Sequence, residues 1–317
     1  MARRGPRVVA IGDAIVDRIT PPMPHLPPGD YQGYVEAFET LPGGNATNFA
    51  LQISRLGATT AFVGVLGRDA NAALLRDAYR QHGVRAILRT DPRRPTGATV
   101  ALSWIGGGRA LITSLGANGG FRLRDVPPSV FRGFDHVHRA GFWWTPHLMG
   151  RPTAQILARA RRAGAGTSLD MSTDPQGWRP GRLQAVRMCL PFVDTFFGNE
   201  VEVRALSGNS SWFAAARRIC KLGAKEVVVH RGARGSARIA PDGVTKVASF
   251  SVPEENPTGC GDVFNAGYVY SRLRGDSVPD ALRFANACSA LHIQDRRHPY
   301  ARISEVRHFL ASRFARS

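Results

Sequence analysis

Short apolar runs alternate along this chain with longer segments whose apolar positions recur every three or four residues. Val8 to Ile11 is a continuous apolar run, which predicts a strand buried on both faces. It ends at Gly12-Asp13, and Asp17 follows. Phe49, Ala50, Ile53 and Leu56 form a helical stripe that Gly57 closes. A strand at 61–66 and an amphipathic helix at 70–81 come next. Further strands are predicted at 135–139, 166–170, 193–197 and 226–229. Helices are predicted at 152–163, about 181–190, about 210–221, 262–274 and 279–293, with a last one from near Ser304. Such alternation predicts an α/β fold with a mostly parallel sheet and crossover helices.

Two stretches break the rhythm. Residues 20–42 are rich in Pro and Gly, which argues against a helix. Thr99 to Trp104, three glycines and Ala110 to Ser114 read as a hairpin. Together they predict a small antiparallel lid, with segments at about 18–42 and 97–117 inserted into one domain spanning 1–317. A second hairpin is expected at 235–250.

Composition fits a globular protein, with 43% hydrophobic and 21% charged residues. The net charge is +18, carried by 39 arginines and only three lysines. These are spread from end to end rather than clustered among aromatics, so specific nucleic-acid binding is not expected. The charge does favour acidic ligands such as nucleotides. The cysteines, Cys189, Cys220, Cys260 and Cys288, form no C-x-x-C pair and suggest neither a zinc site nor a disulfide framework. Asp13 and Asp17 interrupt the first apolar run too early for a signal peptide, and no run reaches the ~20 residues of a membrane span. A cytoplasmic protein is the expectation.

Candidate chemistry concentrates in Pro257-Thr258-Gly259-Cys260-Gly261-Asp262, a small-residue turn opening a helix. Helix N-termini present unpaired N–H groups and favour anions. A carboxylate beside such a turn supplies a base beside a phosphate cradle. Leu41-Pro42-Gly43-Gly44-Asn45-Ala46-Thr47-Asn48 is a second such turn, where glycines allow close backbone approach and Asn45 and Asn48 can bond hydroxyls. A P-loop enzyme is excluded because no Gly-Lys pair exists, and Gly12-Asp13-Ala14 is no dinucleotide fingerprint.

With these pieces placed, the chain resembles the ribokinase (PfkB-type) carbohydrate kinase family over nearly its whole length. Gly43 to Asn48, with Gly57 and Gly64-Val65-Leu66-Gly67-Arg68-Asp69, matches the family's N-terminal signature. Pro257 to Gly267 matches the C-terminal one. The resemblance implies a three-layer α/β/α fold with a β lid, and ATP and Mg²⁺ as cofactors. It implies that Asp262 is the base and that Gly259, Cys260 and Gly261 form the anion hole. Asp17, Gly43, Gly44 and Asn48, with Asp13 beside them, would contact the acceptor. Asn199 and Glu202 match an N-x-x-E element near Mg²⁺, with Glu202 acting through water. Arg231, Gly232, Gly235 and Asn286 fall where the family contacts its nucleotide. Pairing through the lids into a homodimer is a further expectation from the resemblance.

The departures shape the rest. Asn256 stands where the family often has an Asp that helps hold a monovalent cation, and Asp295-Arg296-Arg297-His298-Pro299 replaces a Gly-Ala-type loop. Weak or absent K⁺ activation is therefore expected. Asn45 stands where sugar-phosphate kinases of the family tend to carry Lys, which suggests a neutral sugar or polyol. Against that, His138 and Arg139 end a strand near the cleft, where they would suit a phosphate. Phe142-Trp143-Trp144 would suit a nucleobase, with core packing the plainer reading. The alternatives are thus a nucleoside or sugar-phosphate kinase, or a non-catalytic nucleic-acid-binding relative.

Overall fold

The computed structural model describes residues 5–255 and 257–314. Asn256, singled out above, lies outside the described residues.

The first strand, β1 (Arg7–Ile11), shows why a continuous apolar run was needed. Its side chains alternate between faces. Val8 and Ala10 join one core cluster and Val9 and Ile11 another, all fully buried. The chain then leaves for a second sheet through β2 (Ile15–Ile19) and β3 (Glu39–Gly43) before helix α1 (Asn45–Arg55). It returns as β4 (Thr59–Leu66), α2 (Ala70–Gln81) and β5 (Arg85–Thr90), and completes the second sheet with β6 (Gly97–Ser103) and β7 (Arg109–Ser114). From β8 (His136–Arg139) the alternation is regular: α3 (Arg151–Arg162), β9 (Gly166–Asp170), α4 (Pro180–Arg187), β10 (Thr195–Asn199), α5 (Glu200–Ser207), α6 (Trp212–Lys221) and β11 (Glu226–His230). The hairpin β12 (Ser236–Ala240) and β13 (Gly243–Val247) precedes α7 (Cys260–Arg274), α8 (Val278–Gln294) and α9 (Ile303–Phe314).

The large sheet has nine strands in the order β13-β12-β11-β10-β9-β8-β1-β4-β5. All neighbours run parallel except the β11–β12 and β12–β13 pairs. The small sheet, β3-β2-β6-β7, is antiparallel but for its central β2–β6 pair. The α/β architecture with a β lid is thus present. Its lid begins earlier than the pattern suggested, because β2 at 15–19 already pairs with β6. Residues 20–38 are irregular apart from a Met23–Trp104 bridge. Strand β5 and helix α5 were not legible in the pattern. Arg85 to Thr90 carries three polar residues in six, as befits a sheet edge. Helix α5 is only eight residues long.

Parallel strands place their carboxyl ends along one edge of the sheet, where ligands of open α/β sheets bind. Here that edge carries Gly12-Asp13 after β1, Asp170 at the end of β9, Asn199 at the end of β10 and His230 at the end of β11. Among the described residues no helix is long and apolar enough to cross a membrane.

Candidate active site

The small sheet lies over that edge and encloses a cavity of about 450 Å³ with it. Asp13, Asp17, Gly44, Asn48, Asn199, Glu202, Gly232, Gly259, Cys260, Gly261 and Asp262 all line it. A second cavity of about 510 Å³ adjoins it, lined by Arg231, Gly232, Gly235, Phe250, Phe264 and Asn286 among others. The two share His230, Gly232, Cys260 and Gly261, so they meet at the N-terminus of α7.

That N-terminus is built by Gly259, whose backbone sits at φ 83, a left-handed conformation that glycine adopts without strain. No side chain caps the helix, which leaves its first amides to face the cavities. Cys260 and Gly261 belong to the first helical turn itself, where the sequence had suggested a preceding loop. The Cys260 thiol is pushed up to about 11 by burial, with the Asp262 charge adding, so it stays protonated at neutral pH.

Asp262 follows in the same turn and is 3% exposed. Asn48 Nδ2 donates to its Oδ2 at 3.0 Å, and Asn45 Nδ2 donates to its Oδ1 at 3.1 Å. Burial raises the Asp262 pKa well above the ordinary carboxylate value, and the charge of Asp170 adds to it; the two asparagines oppose the rise.

Asp17, on β2, is pushed up to about 6, chiefly by burial. Gly43 makes room for it: a Cβ there would lie 2.1 Å from the Asp17 carboxylate. Asp13 lines the cavity and also has a structural task. Its two oxygens accept the main-chain N–H groups of Asn45 at 3.1 Å and Ala46 at 3.0 Å, which caps α1. It thereby fixes the Gly44–Asn48 turn beside the cavity that it also lines.

Asn199 and Glu202 form a capping box on α5. Asn199 Oδ1 accepts from the amides of Val201 and Glu202, and Glu202 Oε2 accepts from the Asn199 amide at 2.8 Å. The second Glu202 oxygen accepts from the Thr173 hydroxyl at 2.9 Å. Burial and the nearby Asp170 charge push Glu202 up to about 7. Arg231 pairs with Glu200 at 2.9 Å and lies over Trp212, so it forms a fixed wall of the second cavity. Gly235 is required by packing, since a Cβ would meet the Val247 carbonyl at 2.0 Å. Asn286 donates to the Ala248 carbonyl at 3.0 Å.

The phosphate role weighed for His138 and Arg139 is not what the structure provides. Both are fully buried. The Arg139 guanidinium bonds Thr153, Thr145 and the carbonyls of Ile11 and Ala140, and burial lowers its pKa to about 10. His138 stacks on Phe49 at 3.8 Å and contacts Ser168 at 2.7 Å. Phe142 and Trp143 are core residues, whereas Trp144 lines the first cavity.

Several lining residues carried no local signal. His230 Nε2 contacts Asn265 Oδ1 at 2.8 Å, and Asn265 donates to Asp170 at 2.6 Å. Arg109 and Thr99 reach the cavity from the lid. Asp170 and His230 stand at strand exits, which is the one sequence cue that could have found them.

The chain matches the pfkB family carbohydrate kinase pattern over residues 6–298, and it belongs to that family. It is similar to aminoimidazole riboside kinase of Salmonella typhimurium, with 26% identity over 90% of this chain and 89% of the relative. Its fold matches that of Arabidopsis thaliana ribokinase complexed with ribose and ATP, with TM-score 0.81, 25% identity, and coverage of 96% of this chain and 99% of the other. An E. coli protein described as a ribokinase II, in complex with ATP and Mg²⁺, matches with TM-score 0.84 and 25% identity over 97% of this chain and 99% of the other. The chain is thus a carbohydrate kinase of the ribokinase type.

Proposed function

We propose that this protein transfers the γ-phosphoryl group of ATP to a hydroxyl of a neutral sugar, polyol or nucleoside. The observation that carries the reading is the meeting of two cavities at the N-terminus of α7, with Asp262 in its first turn. The acceptor lies in the first cavity, its hydroxyls bonded by Asp17 and Asn48. ATP lies in the second, between the Gly232–Gly235 turn and Asn286.

Asp262 takes the proton of the acceptor hydroxyl as that oxygen attacks the γ-phosphorus, and the bond to the ADP oxygen breaks. The amides of Cys260 and Gly261 face the charge that builds on the transferring group. Asn45 and Asn48 aim the carboxylate and oppose the burial that would keep it protonated. The lid excludes water, which would otherwise compete as acceptor.

Mg²⁺ fits as a companion of the nucleotide. Among the described residues no ready-made cluster of three His, Cys, Asp or Glu ligands exists. Asp170 and Glu202 nevertheless face the cavity with charges that repel each other, which a divalent cation relieves. Glu202 and Asn199 would hold it through water, since their capping bonds already occupy them. When bound, the ion neutralises phosphate oxygens.

The commitment of Arg139 and His138 to the interior supports a neutral acceptor, although Arg109 of the lid lines the first cavity and would meet a phosphate there. Trp144 at the cavity wall keeps a nucleoside in view, in line with relatives named aminoimidazole riboside kinase and nucleoside kinase. A thermal-shift panel of sugars, polyols, nucleosides and sugar phosphates, each with an ATP analogue, tests the reading. Turnover is then measured on the hits. Stabilisation by sugar phosphates alone, or no ATP-dependent turnover of any hit, would overturn it.

A further inference from the structure

Behind the proposed anion hole, side chains at the end of α8 meet a set of main-chain carbonyls. His292 is 3% exposed. Its Nε2 lies 2.7 Å from the Thr258 carbonyl oxygen, and its Nδ1 lies 2.7 Å from that of Pro299. A carbonyl only accepts. A neutral imidazole has one N–H, so one of these contacts would set a ring lone pair against a carbonyl oxygen. An imidazolium donates to both. Four residues on, Arg296 Nη2 donates to the Glu255 carbonyl at 2.8 Å, and its Nη1 is 3.4 Å from the Glu39 carboxylate on β3.

The same region orients the base. Thr258 immediately precedes Gly259, the N-cap of α7. Tyr300, next to Pro299, donates its hydroxyl to Asn48 Oδ1 at 2.9 Å, and Asn48 in turn donates to Asp262. Gln52 on α1 holds Ala301 through two bonds, at 3.0 and 3.1 Å. Carbonyls that would otherwise suit a monovalent cation in this region are therefore already bonded to cationic or protonated side chains. Such an ion does not fit the residues present.

We propose that His292, as an imidazolium, and Arg296 are built-in cations that position the anion-hole turn, so that no bound monovalent ion is needed. This rests on the anion-hole reading above. Tyr300 packs against His292, with ring centroids 6.3 Å apart; Cys260 and Asp262 follow Thr258 in the chain, and Asp295 and Arg296 follow α8. From α1, Asn48 approaches the same turn, and Arg55 Nε donates to the Tyr300 carbonyl at 3.4 Å, beside Pro299. None of these forms an ion pair with His292 among the described residues. Burial pulls its pKa below the ordinary imidazole value, with the two carbonyls opposing the fall, yet only a doubly protonated ring satisfies both acceptors.

The test has two arms. Long-range ¹H–¹⁵N spectra of the intact wild-type protein, with the His292 ring assigned through its own backbone, report its protonation. Both ring nitrogens should carry protons at pH 7 and still at pH 8, well above the ordinary imidazole pKa of about 6.5. A ring with one bare nitrogen at pH 7 overturns the proposal. Turnover is then compared in Na⁺, K⁺ and tetramethylammonium. The wild type should vary less than about twofold, while His292→Gln, which keeps one donor, should lose about tenfold in kcat and regain part of it with K⁺ or free imidazole. Several-fold K⁺ activation of the wild type, or an unchanged kcat in folded His292→Gln, overturns it. The ring measurement needs neither turnover nor a variant. A protein with the imidazolium signature but no kinase activity would thus indict the kinase reading alone.

Discussion

Asn48 donates to Asp262 at 3.0 Å across 214 residues of chain, and together with the Asn45 bond it joins the two signature segments. Removing the donor leaves the buried carboxylate with less to favour its charge. Asn48→Ala should therefore move the acid limb of the pH–rate profile to higher pH and lower kcat at pH 7 by roughly tenfold or more. A profile measured across pH 5 to 9 checks this, and an unmoved limb would show that Asn48 does not tune the base.

Asp262→Asn keeps the shape of the first helical turn and its amides. Binding of an ATP analogue, measured by calorimetry, should stay near the wild-type value. Turnover should fall by at least ~10²-fold, the usual contribution of a positioned base. Full activity in this variant would refute the assignment.

Asp17, proposed to bond the acceptor, also bears on stability. Its folded pKa is raised from 3.8 to about 6, so the folded state holds this proton to higher pH than the unfolded chain does. Folding stability from this group is thus lost as pH rises through that window. Asp17→Asn should melt above the wild type at pH 7 and together with it below about pH 4, while the acceptor KM rises at least about tenfold. Melting curves at both pH values, with acceptor titrations, measure the two effects separately.

Arg139 offers a contrast. It bonds the Ile11 and Ala140 carbonyls in the interior. Arg139→Met should cost about 3 kcal/mol or more of stability by orphaning buried acceptors. Denaturant unfolding reads that loss. The acceptor KM of the folded fraction should change little, whereas a selective loss of affinity for phosphorylated acceptors would restore the phosphate-binding role.

Much was legible in the sequence because it rests on local rules. Alternate burial of Val8 to Ile11 requires an apolar residue on both faces, and that shows as an unbroken run. Gly259 permits the left-handed backbone that opens α7 without a side-chain cap, and that shows as a small-residue turn. Strand β2 was missed because its Asp17 and Arg18 break the apolar pattern; it sits in a lid, with Ile15, Asp17 and Ile19 toward the cavity.

What only the tertiary structure decided is how side chains spend their polar atoms. Asp13 and Asp17 look alike at a strand exit and both line the cavity, yet only Asp13 also accepts the main-chain amides that open α1. Arg139 and Arg296 are equally basic letters, but one is sealed under β1 and the other spans Glu39 and Glu255. Hydrogen-bond partners come from segments far apart in the chain, and the pattern of a single segment carries no record of them. The sequence by itself therefore determined the layers, the two signatures and the class of chemistry. Folding determined which of the charged groups remain free to do it.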